Sequence, residues 1–170
     1  MTKVNPMVVE IGCLRRNVDD PGIAGDGGST PIIAWATKMA NGTLHCCDIN
    51  QSAIDYSMKA LEHYGLIGAY VSFYVEDGMK FVQQLPNGID AIYIDGLDFG
   101  GDMIEASMDW HLKIFATVEP KLAPGAIIMF DDIFNTTTWY GKGGKAIPYM
   151  IENGYSLVHK GYQVILRKEN

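Results

Sequence analysis

Residues 91–96 read AIYIDG, an apolar, strand-forming run that ends on the carboxylate Asp95. The same pattern occurs four more times along the chain, in VVEIG, LHCCDIN, VSFYVEDG and AIIMFDD. The acids that end these runs are Glu10, Asp48, Asp77 and Asp131. Helical patterns separate the runs, so the strands are predicted to lie parallel with their acids along one carboxyl edge, where open α/β sheets bind ligands. Because an unpaired buried carboxylate is costly, the row predicts a polyhydroxylated, amine-bearing or cationic ligand, or a metal.

The composition is that of one ordinary globular domain. The chain has 170 residues, 48% of them hydrophobic and 19% charged, which is enough for one core, and we predict a single domain over 1–170. The net charge of -7 argues against nucleic-acid binding and favours a small-molecule ligand. The three cysteines show neither a disulfide framework nor zinc spacing, so a reducing, cytoplasmic location is expected. The amino terminus MTKVNPM has no apolar h-region and nowhere do 18 apolar residues run together, so neither secretion nor membrane spanning is expected.

The spacing of apolar residues predicts alternating strands and helices. Parallel strands are expected at 7–11, 43–47, 71–75, 91–94 and 126–130, and helices at 30–40, 52–64, 78–84, 103–118 and 145–152. Two further strands, at 155–159 and 162–167, are separated only by Lys160-Gly161. A two-residue connection joins antiparallel strands and cannot make a parallel crossover. The sequence therefore predicts an α/β fold with a mostly parallel, seven-stranded sheet that ends in an antiparallel β-hairpin.

The first loop argues against a dinucleotide-dependent dehydrogenase. After the first strand the chain reads GCLRRN, where such an enzyme would have GxGxxG. Gly27-Gly28-Ser29 still precedes the first helix, and Asp48 lies 20 residues beyond Gly28. An acid at that distance is expected to accept hydrogen bonds from a ribose diol. The ribose-binding pattern is thus present without the pyrophosphate-binding pattern.

The ordered motifs of the chain resemble those of class I S-adenosylmethionine-dependent methyltransferases. The series is VVEIG, GGST opening a helix, CDIN, VEDGMKF, DAIYIDGLDF and LAPGAIIMFDD. The resemblance spans residues 8–167 and is closest to the small subgroup whose fourth strand ends in IDGxH. It implies a Rossmann-like three-layer sandwich, an S-adenosyl-L-methionine cofactor and transfer of a methyl group to a small-molecule acceptor, expected at oxygen.

The resemblance also implies which residues bind the cofactor. The matching positions are Glu10, Gly12, Gly28, Ser29, Asp48, Ile49, Asp77, Gly78 and Asp95. The first four would surround the amino-acid part of the cofactor, because glycines let the backbone approach closely. Asp48 would hold the ribose and Ile49 would pack on the adenine ring. Asp77 would accept from the adenine amino group with Gly78 leaving room beside it, and Asp95 would lie beneath the methyl donor.

In the metal-dependent O-methyltransferases similar to this chain, the acids that end strands four and five bind a divalent cation. The matching positions are Asp95, Asp131 and Asp132, and three carboxylates would suit Mg²⁺, Ca²⁺ or Mn²⁺. The metal would orient a substrate hydroxyl and favour its deprotonation, with Asp95 and Asp131 as the catalytic residues. A simpler interpretation is that Asp131-Asp132 are turn residues after the fifth strand.

Two departures from the family pattern leave roles open. Residues 13–26 form a long first loop, in which Arg15 or Arg16 would either reach the cofactor's carboxylate or remain solvated. After IDG the chain has Leu97-Asp98, so the usual histidine or lysine base is missing there. Asp98 would replace that base, bind the metal or cap the next helix. Each strand-terminal acid has the same simple alternative of capping the following helix.

Two other functions compete with the methyltransferase interpretation. The first is a non-catalytic ligand-binding or regulatory module on the same fold, and the second is another enzyme on it, such as an aminopropyl transferase or a nucleotide-sugar enzyme. Because the sequence starts almost on its first predicted strand, it is expected to lack the helical segment that often covers the acceptor site in this fold. We therefore expect either a second subunit, in a homodimer, to cover exposed apolar surface or the site to be open. Trp139 and Tyr140, beside GKGG, are placed to line a substrate mouth.

Overall fold

The computed structural model describes residues 5–19 and 28–169. The strands are β1 (Met7–Ile11), β2 (Thr43–Asp48), β3 (Val71–Val75), β4 (Ile89–Ile94), β5 (Leu122–Phe130), β6 (Ile133–Asn135), β7 (Tyr140–Gly141), β8 (Ser156–Lys160) and β9 (Val164–Arg167). The helices are α1 (Ser29–Met39), α2 (Gln51–His63), α3 (Gly78–Gln84), α4 (Ile104–Val118) and α5 (Ala146–Glu152). Of the predicted long loop, residues 13–19 are described, and 20–26 lie outside the described residues, as does Gly27.

Seven strands form one sheet in the order β3-β2-β1-β4-β5-β9-β8. Strands β1 to β5 pair in parallel, and β9 and β8 complete the sheet as antiparallel strands. This confirms the predicted sheet and its terminal hairpin. Because β2 and β3 lie on one side of β1 while β4 and β5 lie on the other, the strand order reverses between β1 and β4. A crevice is expected at that point in doubly wound α/β folds.

Helices cover both faces of the sheet, which explains why the strands read as continuous apolar runs. One core cluster joins the sheet to α3, α4 and α5, and the other joins it to α1 and α2. Val9 and Ile92, on the central strands, are fully buried. The result is the predicted three-layer sandwich, in which the sheet edge is held rigidly from both sides.

The segment between β5 and α5, for which the sequence predicted no strand, contains two short strands. Strands β6 and β7 pair there as a second, two-stranded antiparallel sheet. The hairpin lies directly after Asp131-Asp132 and leads into the glycine-rich residues 141–144. Residue patterns this short carry little strand signal, so the sequence did not indicate the hairpin.

The surfaces of the helices bear on two further predictions. In the described ranges, no helix has both the length and the apolar character needed to cross a lipid bilayer. On α1, Ile32, Trp35 and Met39 are exposed along one side. The predicted homodimer and the cytoplasmic location stay predictions.

Candidate active site

A cleft of about 490 Å³ opens along the carboxyl edge of the sheet, at the reversal between β1 and β4. The predicted site residues that line it are Gly12, Asp48, Ile49, Asp77, Gly78, Asp95, Asp131 and Asp132. Glu10, Gly28 and Ser29 do not line it. The strand-terminal acids therefore gather at one edge as predicted, except for the acid within β1.

Gly12 lets the ends of three strands approach one another at the base of the cleft. Its φ is +86°, and an added Cβ would lie 2.0 Å from the carbonyl oxygen of Asp95. Its amide donates to Cys47 O at 2.9 Å, and the Asp95 amide donates to Ile11 O at 2.8 Å. A side chain at this position would separate β1 from β4, so the glycine is required by the closeness of the backbone.

Glu10 is buried beneath the cleft and does not face it. The Ser29 hydroxyl donates to its Oε1 at 2.8 Å, while its Oε2 is buried without a partner. Burial raises the pKa of Glu10 to about 7 although the Ser29 hydrogen bond opposes the rise. Among the described residues, Glu10, Cys13 and Cys46 are the one group of three potential metal ligands with atoms within 4.8 Å of one another. The Ser29 hydroxyl is thus engaged by Glu10. The placement of Glu10, Gly28 and Ser29 does not support the cofactor role predicted for them.

Asp48 connects two loops at the end of β2. Its Oδ2 accepts from the Cys13 amide at 2.9 Å and its Oδ1 from the Asn50 amide at 2.8 Å. Ile49 follows it and is 66% exposed on the cleft wall. A carboxylate beside an exposed aliphatic side chain offers a hydrogen-bond acceptor next to a flat apolar contact, the combination that a nucleoside needs.

Asp77 both caps α3 and lines the cleft. Its Oδ1 accepts from the amides of Met79 and Lys80 at 3.0 and 3.1 Å, so the alternative of a helix cap is confirmed here. Its Oδ2 carries no hydrogen bond from the described residues and is available to a ligand. Gly78 does not leave open room, because a Cβ there would lie 3.1 Å from the ring of Trp110, which itself lines the cleft.

Lys142 is the buried residue of the site that the sequence analysis missed. Its side chain is 1% exposed, and its ammonium lies between Asp95 and Asp132, pairing with Asp95 Oδ1 and with Asp132 Oδ2 at 2.8 Å. Burial would lower the pKa of this lysine, but the two carboxylates outweigh that effect and raise it. Lys142 is therefore a fixed cation behind the acids of β4 and β5. Its only sequence signal was the glycine-rich GKGG around it.

The glycines of GKGG hold Lys142 in place through close backbone contacts. A Cβ at Gly141, whose φ is +154°, would lie 2.1 Å from the Asp132 carbonyl oxygen, and one at Gly144 would lie 2.5 Å from the Met108 sulfur. Larger residues would push the segment away from the sheet edge. The glycines thus allow the β6–β7 hairpin to return the lysine beneath the cleft.

The remaining acids of the predicted metal triad are already hydrogen-bonded. Tyr93 donates to Asp131 Oδ2, and the Asp132 amide donates to Asp131 Oδ1 at 2.8 Å. Tyr162 donates to Asp132 Oδ1. With the two Lys142 contacts, five of the six carboxylate oxygens are engaged, and only Asp95 Oδ2 has no hydrogen bond within the described residues.

Asp132 has the left-handed φ of +53°, and the turn interpretation of Asp131-Asp132 stays a prediction. Asp131 is only 6% exposed and its two oxygens accept from Tyr93 and from the Asp132 amide, so this placement does not support the catalytic role predicted for it. Asp95 is different, because one of its oxygens is open. Desolvation raises the pKa of Asp95 to about 6 against the opposing effect of Lys142.

The described fold and cleft agree with the outcome of comparison with known proteins. Residues 24–133, more than half of the chain, match the family described as Methyltransferase domain. The chain belongs to the methyltransferase domain family. The match confirms the class I S-adenosylmethionine-dependent methyltransferases as the group to which the motifs pointed, and S-adenosylmethionine as the cofactor of that group. No curated protein sequence matches the chain.

Solved structures of methyltransferases share the fold. The Podospora anserina methyltransferase PaMTH1, in a structure described as SAH-bound, is 18% identical with a TM-score of 0.64, over 96% of this chain and 71% of that one. The O-methyltransferase NovP is 14% identical with a TM-score of 0.63, over 98% and 73%. A methyltransferase from Geobacter sulfurreducens is 15% identical with a TM-score of 0.59, over 98% and 72%. At these identities the similarity shows the fold alone.

An exposed ion pair crosses the mouth of the methyltransferase cleft. Arg15, in the first loop, lies 2.8 Å from Asp98, in the loop after β4, and their side chains are 50% and 73% exposed. Asp98 does not cap the helix that follows, because a 3₁₀ turn begins only at Gly101. The structure pairs these two residues with each other, and the cofactor contact of Arg15 and the base or metal role of Asp98 stay predictions.

An aromatic cluster flanks the methyltransferase cleft on the side of the β6–β7 hairpin. Phe99 stacks on Phe134 with ring centres 5.6 Å apart, and its ring meets that of Tyr140 edge-on at 5.1 Å. Tyr162, which lines the cleft, meets Phe134 edge-on at 5.6 Å. Tyr140 is thus part of this aromatic cluster, and its predicted place at a substrate mouth stays a prediction, whereas Trp139 packs against the core beneath the Lys160 ammonium.

Proposed function

We propose that this methyltransferase holds S-adenosylmethionine along the cleft and transfers its methyl group to a hydroxyl group of a small acceptor beside Asp95. The observation that carries the proposal is the order of groups along one cleft. Asp77 stands at one end after β3, Asp48 and Ile49 lie next to it at the end of β2, and Asp95, after β4, presents an open oxygen at the other end. This order matches the adenine base, the ribose and the reacting centre of one extended ligand.

The cofactor end is supported by the groups that remain available. Asp48 would accept from the ribose hydroxyls, and the exposed side chain of Ile49 would contact the adenine ring. Asp77 Oδ2 would accept from the adenine amino group while Oδ1 keeps the cap of α3. Gly12, with no side chain, leaves the backbone at the end of β1 open to the amino-acid part of the cofactor.

The transfer end is supported by the open carboxylate oxygen of Asp95. S-adenosylmethionine supplies a methyl group on a positively charged sulfur. The acceptor oxygen would form a bond to the methyl carbon with one of its lone pairs as the carbon–sulfur bond breaks, and that bond's electrons stay on sulfur to give neutral S-adenosylhomocysteine. The hydroxyl proton would pass to Asp95 Oδ2, so that Asp95 acts as the general base.

The acceptor is proposed to be a small molecule with a flat apolar part. Tyr162 lines the cleft and joins it to the aromatic cluster of Phe99, Phe134 and Tyr140, which would pack against such a group. The strand-terminal carboxylates around the cleft and the net charge of -7 disfavour a polyanion. A nucleic acid is therefore not proposed as the acceptor.

Calorimetry on the purified protein tests the cofactor half of the proposal. We expect S-adenosylmethionine and S-adenosylhomocysteine to bind and to raise the melting temperature, and NAD and UDP-glucose to do neither. Asp48→Asn should weaken S-adenosylhomocysteine binding by about tenfold, the loss of roughly one hydrogen bond to a charged group. Asp109→Asn is the matched control, because Asp109 is a surface acid outside the cleft. Stabilisation by NAD or UDP-glucose alone would overturn the proposal.

Formation of S-adenosylhomocysteine from S-adenosylmethionine tests the transfer half. A panel that pairs phenols with the corresponding anilines separates oxygen from nitrogen acceptors. Asp95→Asn should lower turnover at least about a hundredfold with cofactor binding retained, since general bases contribute about 10²–10⁴. Cofactor binding with no turnover on any member of the panel would favour the non-catalytic module, and turnover of anilines alone would contradict oxygen as the acceptor.

A further inference from the structure

The acids that were predicted to bind a metal surround a lysine. A hard divalent cation takes six or more oxygen ligands, and near-octahedral geometry is required for Mg²⁺. In this site Asp95 and Asp132 each direct one oxygen at the Lys142 ammonium, and Asp131 uses both of its oxygens elsewhere. A metal would have to take these oxygens from hydrogen bonds that are already formed.

The lysine is also built into the fold in a way that keeps it there. Its side chain is 1% exposed and does not line the cleft, so the ammonium is shielded from solvent. The close contacts of Gly141 with Asp132 and of Gly144 with Met108 fix the backbone on both sides of it. A second cation beside the buried ammonium would be repelled by it. The residues present therefore do not fit a bound metal.

We propose that Lys142 is a built-in cation that takes the place of the divalent metal, so that methyl transfer by this protein needs no metal. Lys142 holds Asp95 by Oδ1 and leaves Oδ2 of this cleft residue without a hydrogen bond from the described residues, which makes the lysine a positioning residue that acts through Asp95. The statement about transfer rests on the proposed function. The occupation of the cation position by the lysine rests on the geometry alone. Metal binding tests it separately.

Titration with Mn²⁺ tests whether Lys142 fills the cation position, and it needs no acceptor. Electron paramagnetic resonance measures the free ion at each step. The wild-type protein should show no Mn²⁺ site that depends on Asp95. Lys142→Ala should gain one site, at least about tenfold tighter than any wild-type binding, because two carboxylates then face an open space and supply hard ligands. Lys142→Ala combined with Asp95→Asn should lose it. Lys145→Ala, which frees the surface acids Glu105 and Asp109, is the matched control and should gain no site of that affinity.

Several outcomes overturn the inference. A wild-type Mn²⁺ site that Asp95→Asn removes would do so, as would a folded Lys142→Ala protein that gains no site. If Lys142→Ala does not fold by circular dichroism, Lys142→Ser takes its place, and the wild-type titration decides in either case.

Activity gives a second, separate measurement. Transfer by the wild-type protein should be unchanged after dialysis against EDTA, and Mn²⁺ should restore part of the transfer that Lys142→Ala loses. Loss of wild-type transfer in EDTA with recovery in Mg²⁺ would overturn the inference. Absence of cofactor binding in every variant would instead overturn the proposed function and would leave the Mn²⁺ result standing.

Discussion

The two ends of the sheet edge hold their carboxylates in different ways. At the end formed by β2 and β3, Asp48 and Asp77 accept from backbone amides two or three residues further along the chain, and Asp48 also accepts from the Cys13 amide in the first loop. At the end formed by β4 and β5, Asp95 is held by the side chain of Lys142, 47 residues away, and Asp132 by that of Tyr162, 30 residues away. The first end is held by backbone amides, most of them in its own turns, and the second is held by distant side chains and depends on the whole fold being formed.

The difference has consequences for energy and for function. A carboxylate can accept about four hydrogen bonds, so an acid that accepts two from backbone amides can still accept from a ligand. A buried ammonium neutralises two acids at once, and removing it would leave both without compensation. We therefore expect a substitution at the β2–β3 end to affect only the contacts of the substituted residue. At the β4–β5 end, removal of one charged group should destabilise the other charged groups as well.

The largest effect is expected from Lys142→Met. The change keeps the apolar stem and removes the charge, so two partly buried carboxylates lose their common partner, and the free energy of unfolding at pH 8 should fall by about 3 to 5 kcal/mol. Urea unfolding followed by circular dichroism measures it. Lys145→Met is the control, because Lys145 also bridges two acids but lies at the surface, and no measurable change is expected. Equal losses in the two variants would show that burial does not distinguish the lysines.

A smaller effect, dependent on pH, is expected at Glu10. Its folded pKa of about 7 lies above its ordinary value of 4.5, so the folded protein binds a proton more tightly than the unfolded chain. Stability should therefore fall as pH rises from about 4.5 to about 7, by up to roughly 3 kcal/mol.

Glu10→Gln mimics the protonated carboxyl and should remove most of this slope in urea titrations across that pH range. Asp95, whose pKa of about 6 is also raised, contributes a slope of the same sign below pH 6 that should persist in the variant. An unchanged slope in Glu10→Gln would contradict the assignment of the buried proton to Glu10.

Asp77→Asn separates the two roles of an acid held by its own turn. Asparagine caps helices as well as aspartate does, so the free energy of unfolding should change by no more than a few tenths of a kcal/mol. The loss of an acceptor for the adenine amino group should weaken S-adenosylhomocysteine binding by about tenfold in calorimetry. Asp77→Ala should lose the same affinity and also about 1 kcal/mol of stability. Unchanged affinity in both variants would leave Asp77 as a cap only.

The smallest effect is expected at the ion pair across the cleft mouth. Asp98→Asn breaks an exposed contact with Arg15, and exposed pairs contribute between about 0 and 1 kcal/mol, so the free energy of unfolding should change by less than about 0.5 kcal/mol. Turnover should fall far less than in Asp95→Asn, because Asp98 is not the proposed base. A greater loss of turnover in Asp98→Asn would reverse that assignment.

Much of the fold could be predicted because each element carries its own signal. The apolar runs predicted all seven strands of the main sheet, and the two residues between 159 and 162 were enough to predict the antiparallel hairpin. The β6–β7 hairpin was missed because its strands are too short to show a period. Glu10 follows the same pattern as the other acids but lies one residue before its strand ends, which directs it into the core.

By itself, the sequence determined the parallel sheet, the edge at which Asp48, Asp77 and Asp95 meet, and the family to which the chain belongs. Strand periodicity and turn residues act over a few positions, so they can be recognised without a structure. Only the tertiary structure decided that Lys142, and no residue near Asp95 in sequence, stands behind the acids of β4 and β5. A buried ion pair depends on two distant segments arriving at one place, and nothing in the local pattern of either segment records the other.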